Sequence, residues 1–133
     1  MIEVLLGQRR WGGRWTVPGG GMENQDLNSY WQCARREVME EFGHLPFLSC
    51  LQPPPGLFLT CIFRNWKTFF VQLPEDVGKY PDVLARDYRH EFKGHSWFPL
   101  SNMHMQKLAL DPWVSLALFK FRTLRRANLL PRL

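Results

Sequence analysis

An α+β fold with a sheet packed between helices is predicted by three features of this sequence. The stretch from Ser29 to Phe42 has helical periodicity, β-branched and aromatic runs on either side of it come in pairs, and another helix-forming stretch follows Asp111-Pro112 near the end. Helices and strands with one apolar side must bury it against a second layer, and this order suits a sheet covered on both faces. With 133 residues, 45% of them hydrophobic, the chain has enough material for a proper core, and residues 1–133 are expected to form a single domain.

The elements follow in order. Ile2 to Gln8 is rich in β-branched residues and leucine and reads as a strand, ending at Arg9-Arg10. Trp11 to Gly21 is a glycine-rich loop in which Trp15-Thr16-Val17-Pro18 leads into Gly19-Gly20-Gly21. By themselves such glycines signal only a turn. Asn24 to Asn28 is a polar loop. Ser29 and Gln32 have capping-box spacing, so Ser29 is the expected N-cap of a helix running to about Phe42, with Gly43 as its stop. Phe47 to Gln52 reads as a strand broken by Pro53-Pro54-Pro55-Gly56. Leu57 to Phe63 and Lys67 to Leu73 read as a hairpin turning at Arg64-Asn65-Trp66. Pro74 to Arg89 is a long polar connection of the kind that closes over ligands. Gly94 to Phe98 is the last strand, and Asp111-Pro112 opens a helix through about Arg125.

Composition narrows the function classes. Three cysteines, Cys33, Cys50 and Cys61, have no C-x-x-C spacing, which argues against a disulfide framework or a zinc site and for reduced thiols in a cytoplasmic protein. The start has neither a secretory apolar core nor a small-residue cleavage site, and no apolar run approaches the roughly 18 residues of a membrane helix. The net charge of +5 makes polyanions plausible partners, with Arg122, Arg125, Arg126 and Arg132 concentrated at the end. A solvated terminal helix is the simpler reading of those arginines, so RNA is a less favoured partner than a small nucleotide.

The chemistry centres on Arg36-Glu37-Val38-Met39-Glu40-Glu41-Phe42-Gly43. On a helix, Glu37, Glu40 and Glu41 sit at i, i+3 and i+4, so three carboxylates converge within about one turn. The bland alternative is a solvated acidic face. Such a face normally places a cation four residues beyond each acid, whereas here those positions hold Glu41, His44 and Leu45. Glu40 and Glu41 also fall in the last turn, where the helix dipole disfavours negative charge by roughly 0.3–1 kcal/mol each. Trp31, Ala34, Val38 and Phe42 form the apolar stripe, with Glu37 and Glu41 along its edge and Glu40 further round. Three oxygen donors without His or Cys suit Mg²⁺ or Mn²⁺ better than zinc.

These residues resemble the signature of the Nudix hydrolases, G-x5-E-x7-R-E-U-x-E-E-x-G-U, where U is a bulky aliphatic. Arg36 to Gly43 matches the distal half at every fixed position. The proximal half departs from it: Asp26 stands where the family has Glu after Gly20, nine residues rather than seven separate it from Arg36, and His44 replaces the last aliphatic. A longer loop costs little closure entropy. The resemblance implies an α/β/α sandwich with a mixed sheet between helices. The family's usual first strand is missing from the start of this sequence, which leaves an edge that a homodimer could cover.

The resemblance also implies a site. Glu37, Glu40 and Glu41 would hold Mg²⁺ or Mn²⁺, a carbonyl at Gly19 or Gly20 would add a ligand, and Glu91, six residues before Trp97, would serve as a further ligand or as the base. Glu40, Glu41 and Glu91 are thus the catalytic candidates, with His90 and His95 as weaker alternative bases. Arg9, Arg10 and Arg14 are candidates to clamp phosphates, since guanidinium suits bidentate oxygen recognition. Trp15 packs the loop in many relatives and is a weaker candidate to stack on a base. Arg36 is expected to orient a carboxylate rather than touch substrate. The implied reaction is metal-assisted hydrolysis of a nucleoside diphosphate linked to another group, giving a nucleoside monophosphate and a phosphorylated remainder. A non-catalytic module that binds a nucleotide or RNA on the same fold is the alternative.

Overall fold

The structure is a computed structural model that describes residues 2–45, 48, 58–62, 66–73, 77–101 and 107–127. Apart from Leu48, the strand expected over Phe47 to Gln52 lies outside the described residues, as do Pro53 to Gly56 and the turn at Arg64-Asn65. The described elements are β1 (Glu3–Arg9), β2 (Trp15–Thr16), a 3₁₀ turn (Asn24–Asp26), α1 (Tyr30–Glu41), β3 (Phe58–Ile62), β4 (Trp66–Phe70), α2 (Tyr88–Glu91), β5 (Phe92–Pro99) and α3 (Pro112–Arg126).

Period-2 alternation along the strands sends neighbouring side chains to opposite layers. In β1, Leu6 packs with Val114 and Leu118 of α3, whereas Leu5 packs with Phe42, Tyr88 and Phe92 on the α1 side. The β3–β4 hairpin repeats the pattern, because Phe69 meets Trp31 of α1 at 5.3 Å between ring centroids and Phe70 stacks on Phe121 of α3 at 4.5 Å. Strands therefore lie between α1 and α3, as the apolar stripes of the two helices require.

The larger sheet has the order β2-β1-β5, and all described ladders are antiparallel. The mixed sheet expected from the resemblance is reduced, among the described residues, to one isolated parallel bridge between Trp15 and Leu110. That bridge ends at once for a local reason. The Asp111 N–H donates to the Trp15 carbonyl, but the next residue, Pro112, has no N–H and begins α3.

The helix limits follow the local signals. Ser29 caps α1 by accepting the Gln32 N–H at 3.2 Å, and Gly43, with φ +103°, ends it in the left-handed region. The carbonyls left open at this end are met from the later connection: the Asp82 N–H donates to the Phe42 carbonyl and the Asp87 N–H to the Glu40 carbonyl, both at 2.7 Å. Those two bonds lay the segment leading into α2, and with it Glu91, across the carboxylate-bearing end of α1.

Gly7 sits where that layer is tightest. A Cβ added there would lie 2.6 Å from Phe92 Cδ1 and 3.2 Å from Phe42 Cζ, both aromatic rings of the core. Gly7→Ala is expected to lower stability by about 1–3 kcal/mol through overpacking, read as a lower urea midpoint at unchanged slope.

Candidate active site

The site is organised by a buried arginine. Arg36, on α1, pairs with both oxygens of Asp26 through Nε at 2.9 Å and a terminal nitrogen at 3.0 Å. The same guanidinium reaches Glu23 at 2.9 Å, Glu37 at 3.0 Å, Glu40 at 3.2 Å and the Gly21 carbonyl at 3.0 Å. Asp26 is only 2% exposed and also accepts the Glu23 N–H at 2.8 Å, closing the 3₁₀ turn. The Arg36 guanidinium holds the Asp26 carboxyl below its ordinary range. Asp26 therefore anchors the loop ahead of α1 to the helix, and Arg36 orients Glu37 and Glu40 as expected.

The three helix acids differ in their partners. Glu40 is turned toward Arg36 and toward Arg86, which lies 3.1 Å from it on the segment before α2. The sequence places no cation four residues beyond any of the acids, and the structure supplies one from elsewhere: Arg36 serves Glu37 and Glu40 from within the helix, and Arg86 reaches Glu40 from a distant part of the chain. Glu37 lies against Gly20, where a Cβ would collide with its carboxylate. Burial raises the Glu37 carboxyl above its ordinary value, and Arg36 opposes the shift. Glu41 is 4% exposed and accepts the Gly19 N–H at 2.9 Å. Burial pushes its carboxyl up to about 8, the Gly19 N–H works against the shift, and the nearby Glu37 and Glu91 carboxylates add to it.

Glu41 and Glu91 line one cavity of about 70 Å³ with Arg9, Thr16, Val17, Gly19, Phe92 and Trp113. The β1–β5 register slips between Gln8 and Arg9, with Gln8 opposite Gly94 and Arg9 opposite Phe92, so that Lys93 is the extra residue. Such bulges re-aim side chains beside active sites, and here Arg9 and Phe92 both reach the cavity. Arg9 Nε pairs with Asp111 at 2.6 Å, and the Arg9 side chain is 41% exposed. Asp111 occupies the N-cap position of α3 but makes no side-chain capping bond, its carboxylate being given to Arg9 instead.

Of the other expected substrate contacts, the structure brings none to this cavity. Arg10 bonds the carbonyls of Arg89 and Phe92, and Arg14 bonds the Leu110 carbonyl at 3.4 Å. Trp15 packs edge-on to Phe98 at 4.8 Å and against the Leu6 cluster, so packing claims the ring. His95 Nδ1 is 2.7 Å from the Tyr88 hydroxyl, and neither His90 nor His95 lines the cavity. Two lining residues, Thr16 and Trp113, carried no sequence signal of function. The Asp111-Pro112 pair marked only the start of a helix.

The donor set fits a hard divalent cation in kind, since it comprises carboxylates and backbone oxygen beside a glycine that leaves Glu37 room. In the present arrangement, no group of three His, Cys, Asp or Glu side chains among the described residues is close enough to enclose an ion. Glu37 and Glu40 would have to exchange Arg36 contacts for it.

A family model described as NUDIX domain matches residues 2–119. No curated protein and no solved structure matches the chain.

Proposed function

The chain belongs to the Nudix family, hydrolases acting on phosphoanhydride bonds, and from that premise we propose that it cleaves a nucleoside diphosphate linked to a second group, releasing a nucleoside monophosphate and a phosphorylated product. The observation that supports this most is the cavity in which Glu41 and Glu91 meet Arg9 beside the Gly19 turn. It combines proton acceptors and a phosphate-binding cation at one place.

Glu37, Glu40 and Glu41, with the Gly20 carbonyl and Glu91, are the residues that would hold Mg²⁺ or Mn²⁺, which when bound supplies charge neutralisation for the diphosphate and acidifies water. The chain's own groups do the rest. Arg9 keeps its terminal nitrogens unpaired among the described residues while Asp111 fixes Nε, so the fork is pre-set for phosphate oxygens. A water oxygen bonds to phosphorus as the bridging P–O bond breaks, and the leaving phosphate oxygen keeps the electron pair. Glu41 or Glu91 takes the water proton. Arg36 and Asp26 maintain the loop and the carboxylates without touching substrate. No described helix is long and apolar enough to cross a membrane, and the buried, unpaired Cys33 suits a reducing cytoplasm.

The test is a panel of nucleoside triphosphates, nucleotide sugars, dinucleoside polyphosphates and capped RNA, each with Mg²⁺ or Mn²⁺, read by release of nucleoside monophosphate. At least one compound is expected to turn over and to stop when the metal is chelated. Absence of release from every class with either ion would overturn the proposal.

A further inference from the structure

We propose that Thr16 is a positioning residue of the hydrolytic site, its hydroxyl holding an ordered water in the cavity against Glu41 and Glu91. The inference rests on the hydrolase reading above and adds to it a residue that lies outside the matched signature.

Three observations meet at this side chain. Thr16 is 2% exposed, it lines the cavity, and its Oγ1 is a buried atom with no hydrogen-bond partner among the described residues. A buried hydroxyl left unpaired loses its hydration with nothing in exchange, so such atoms are rare unless water or a ligand satisfies them. Strand alternation supplies its direction. Trp15 belongs to the α3-facing cluster, so Thr16 belongs to the opposite face, and it stands across the ladder from Gly7, whose α-carbon faces Phe42 and Phe92. That is the layer in which Glu41 ends α1.

The neighbouring polar groups leave room for a water and not for a direct protein bond. Arg9 Nε is committed to Asp111, and one oxygen of Glu41 to Gly19. The Glu91 carboxylate makes no hydrogen bond or ion pair among the described residues. A volume of about 70 Å³ exceeds the ~10–15 Å³ that one water needs. Thr16 Oγ1, a Glu41 oxygen, a Glu91 oxygen and an Arg9 nitrogen could supply the two to four partners that a buried water requires. The hydroxyl can donate to the water oxygen or accept from it, so it holds the water whichever protonation state the carboxyls take. Thr16 thereby fixes where the water sits while a carboxylate takes its proton.

Thr16→Val keeps the β-branched shape and removes only the hydroxyl, and Thr16→Ser keeps the hydroxyl. On whichever panel compound the unaltered protein cleaves fastest, Thr16→Val is expected to lower kcat about 10- to 100-fold, as loss of reactant positioning does. KM should stay within about twofold, because the water and not the substrate loses its anchor, and Thr16→Ser should recover most of the rate. An unchanged kcat with a raised melting temperature would overturn the proposal, since the hydroxyl would then be a plain unpaired core group. A second measurement does not depend on the variants folding or on activity. A high-resolution crystal structure of the unaltered protein is expected to show a water within hydrogen-bond reach of Thr16 Oγ1 and of Glu41 or Glu91. Its absence would overturn the proposal, while an inactive protein with the water in place would count against the hydrolase reading alone.

Discussion

Glu41→Gln is expected to reduce metal-dependent hydrolysis about 10²- to 10⁴-fold while making the metal-free protein more stable at pH 8. Both effects follow from one burial. The Glu41 carboxyl is 4% exposed and is pushed up to about 8 from 4.5, chiefly by loss of water. The folded state therefore prefers the protonated acid. Its contribution to stability is complete below about pH 4.5, and it is lost as pH rises through 8, because the unfolded chain ionises first. A shift of this size corresponds to roughly 3–5 kcal/mol over that window. Gln keeps an oxygen for the Gly19 N–H and carries no charge, so the variant should lack this part of the slope. Glu37, also raised by burial, slopes the same way, and because the two carboxyls act on each other the difference between the proteins reports Glu41 together with its coupling to Glu37. Urea unfolding with chelator from pH 5 to 9 measures it. Identical slopes for the two proteins would show that Glu41 is not a buried, protonated acid. With a divalent cation bound, the unaltered protein should be stabilised toward high pH instead, since the ion favours the carboxylate.

Arg36→Met is expected to cost about 3–5 kcal/mol, the loss that follows when one partner of a buried ion pair is removed. Few positions here hold as much together. The guanidinium satisfies Asp26 with two bonds, reaches three glutamates and binds the Gly21 carbonyl. Without it Asp26 is a buried carboxylate left with the Glu23 N–H and the Cys33 thiol, and its carboxyl should rise from its depressed value. The stability that Asp26 gains from Arg36 is present above about pH 3.8 and is lost as pH falls through the depressed folded value. Pairing Arg36→Met with Asp26→Asn tests the assignment, because the double variant should cost clearly less than the sum of the two singles. Strict additivity would mean that the two side chains do not stabilise the fold through each other. Methionine fills much of the space of the arginine stem, so packing loss contributes little to the difference.

The sequence and the structure agree where a signal is local. Ser29 and Gly43 bound α1, and the Asp111-Pro112 pair opens α3, because capping and positive φ depend on a few adjacent residues. Strand β3 lies within the run expected for it, whereas β4 starts one residue early, since Trp66, expected in the turn, pairs with Ile62. Where a side chain had two possible uses, adjacency could not choose between them. Trp15 could stack on a base or fill the core, and only the folded chain brings Phe98, across the sheet, edge-on to the ring. Asp111 could cap its helix or leave it, and Arg9, 102 residues away, takes the carboxylate. The second cation beside Glu40 was hidden for the same reason, since Arg86 reaches it only after the connection folds back over α1.

By itself the sequence determined that strands lie between two amphipathic helices and that a carboxylate-rich turn of α1 follows a glycine loop. Periodicity, capping and motif spacing are properties of neighbouring residues. Only tertiary structure decided that Glu41 is buried beside Glu91 while Glu40 faces Arg36 and Arg86, and that of three candidate arginines Arg9 alone lines the cavity. Burial and charge pairing set those outcomes, and both depend on which distant segments share a place once the chain has closed.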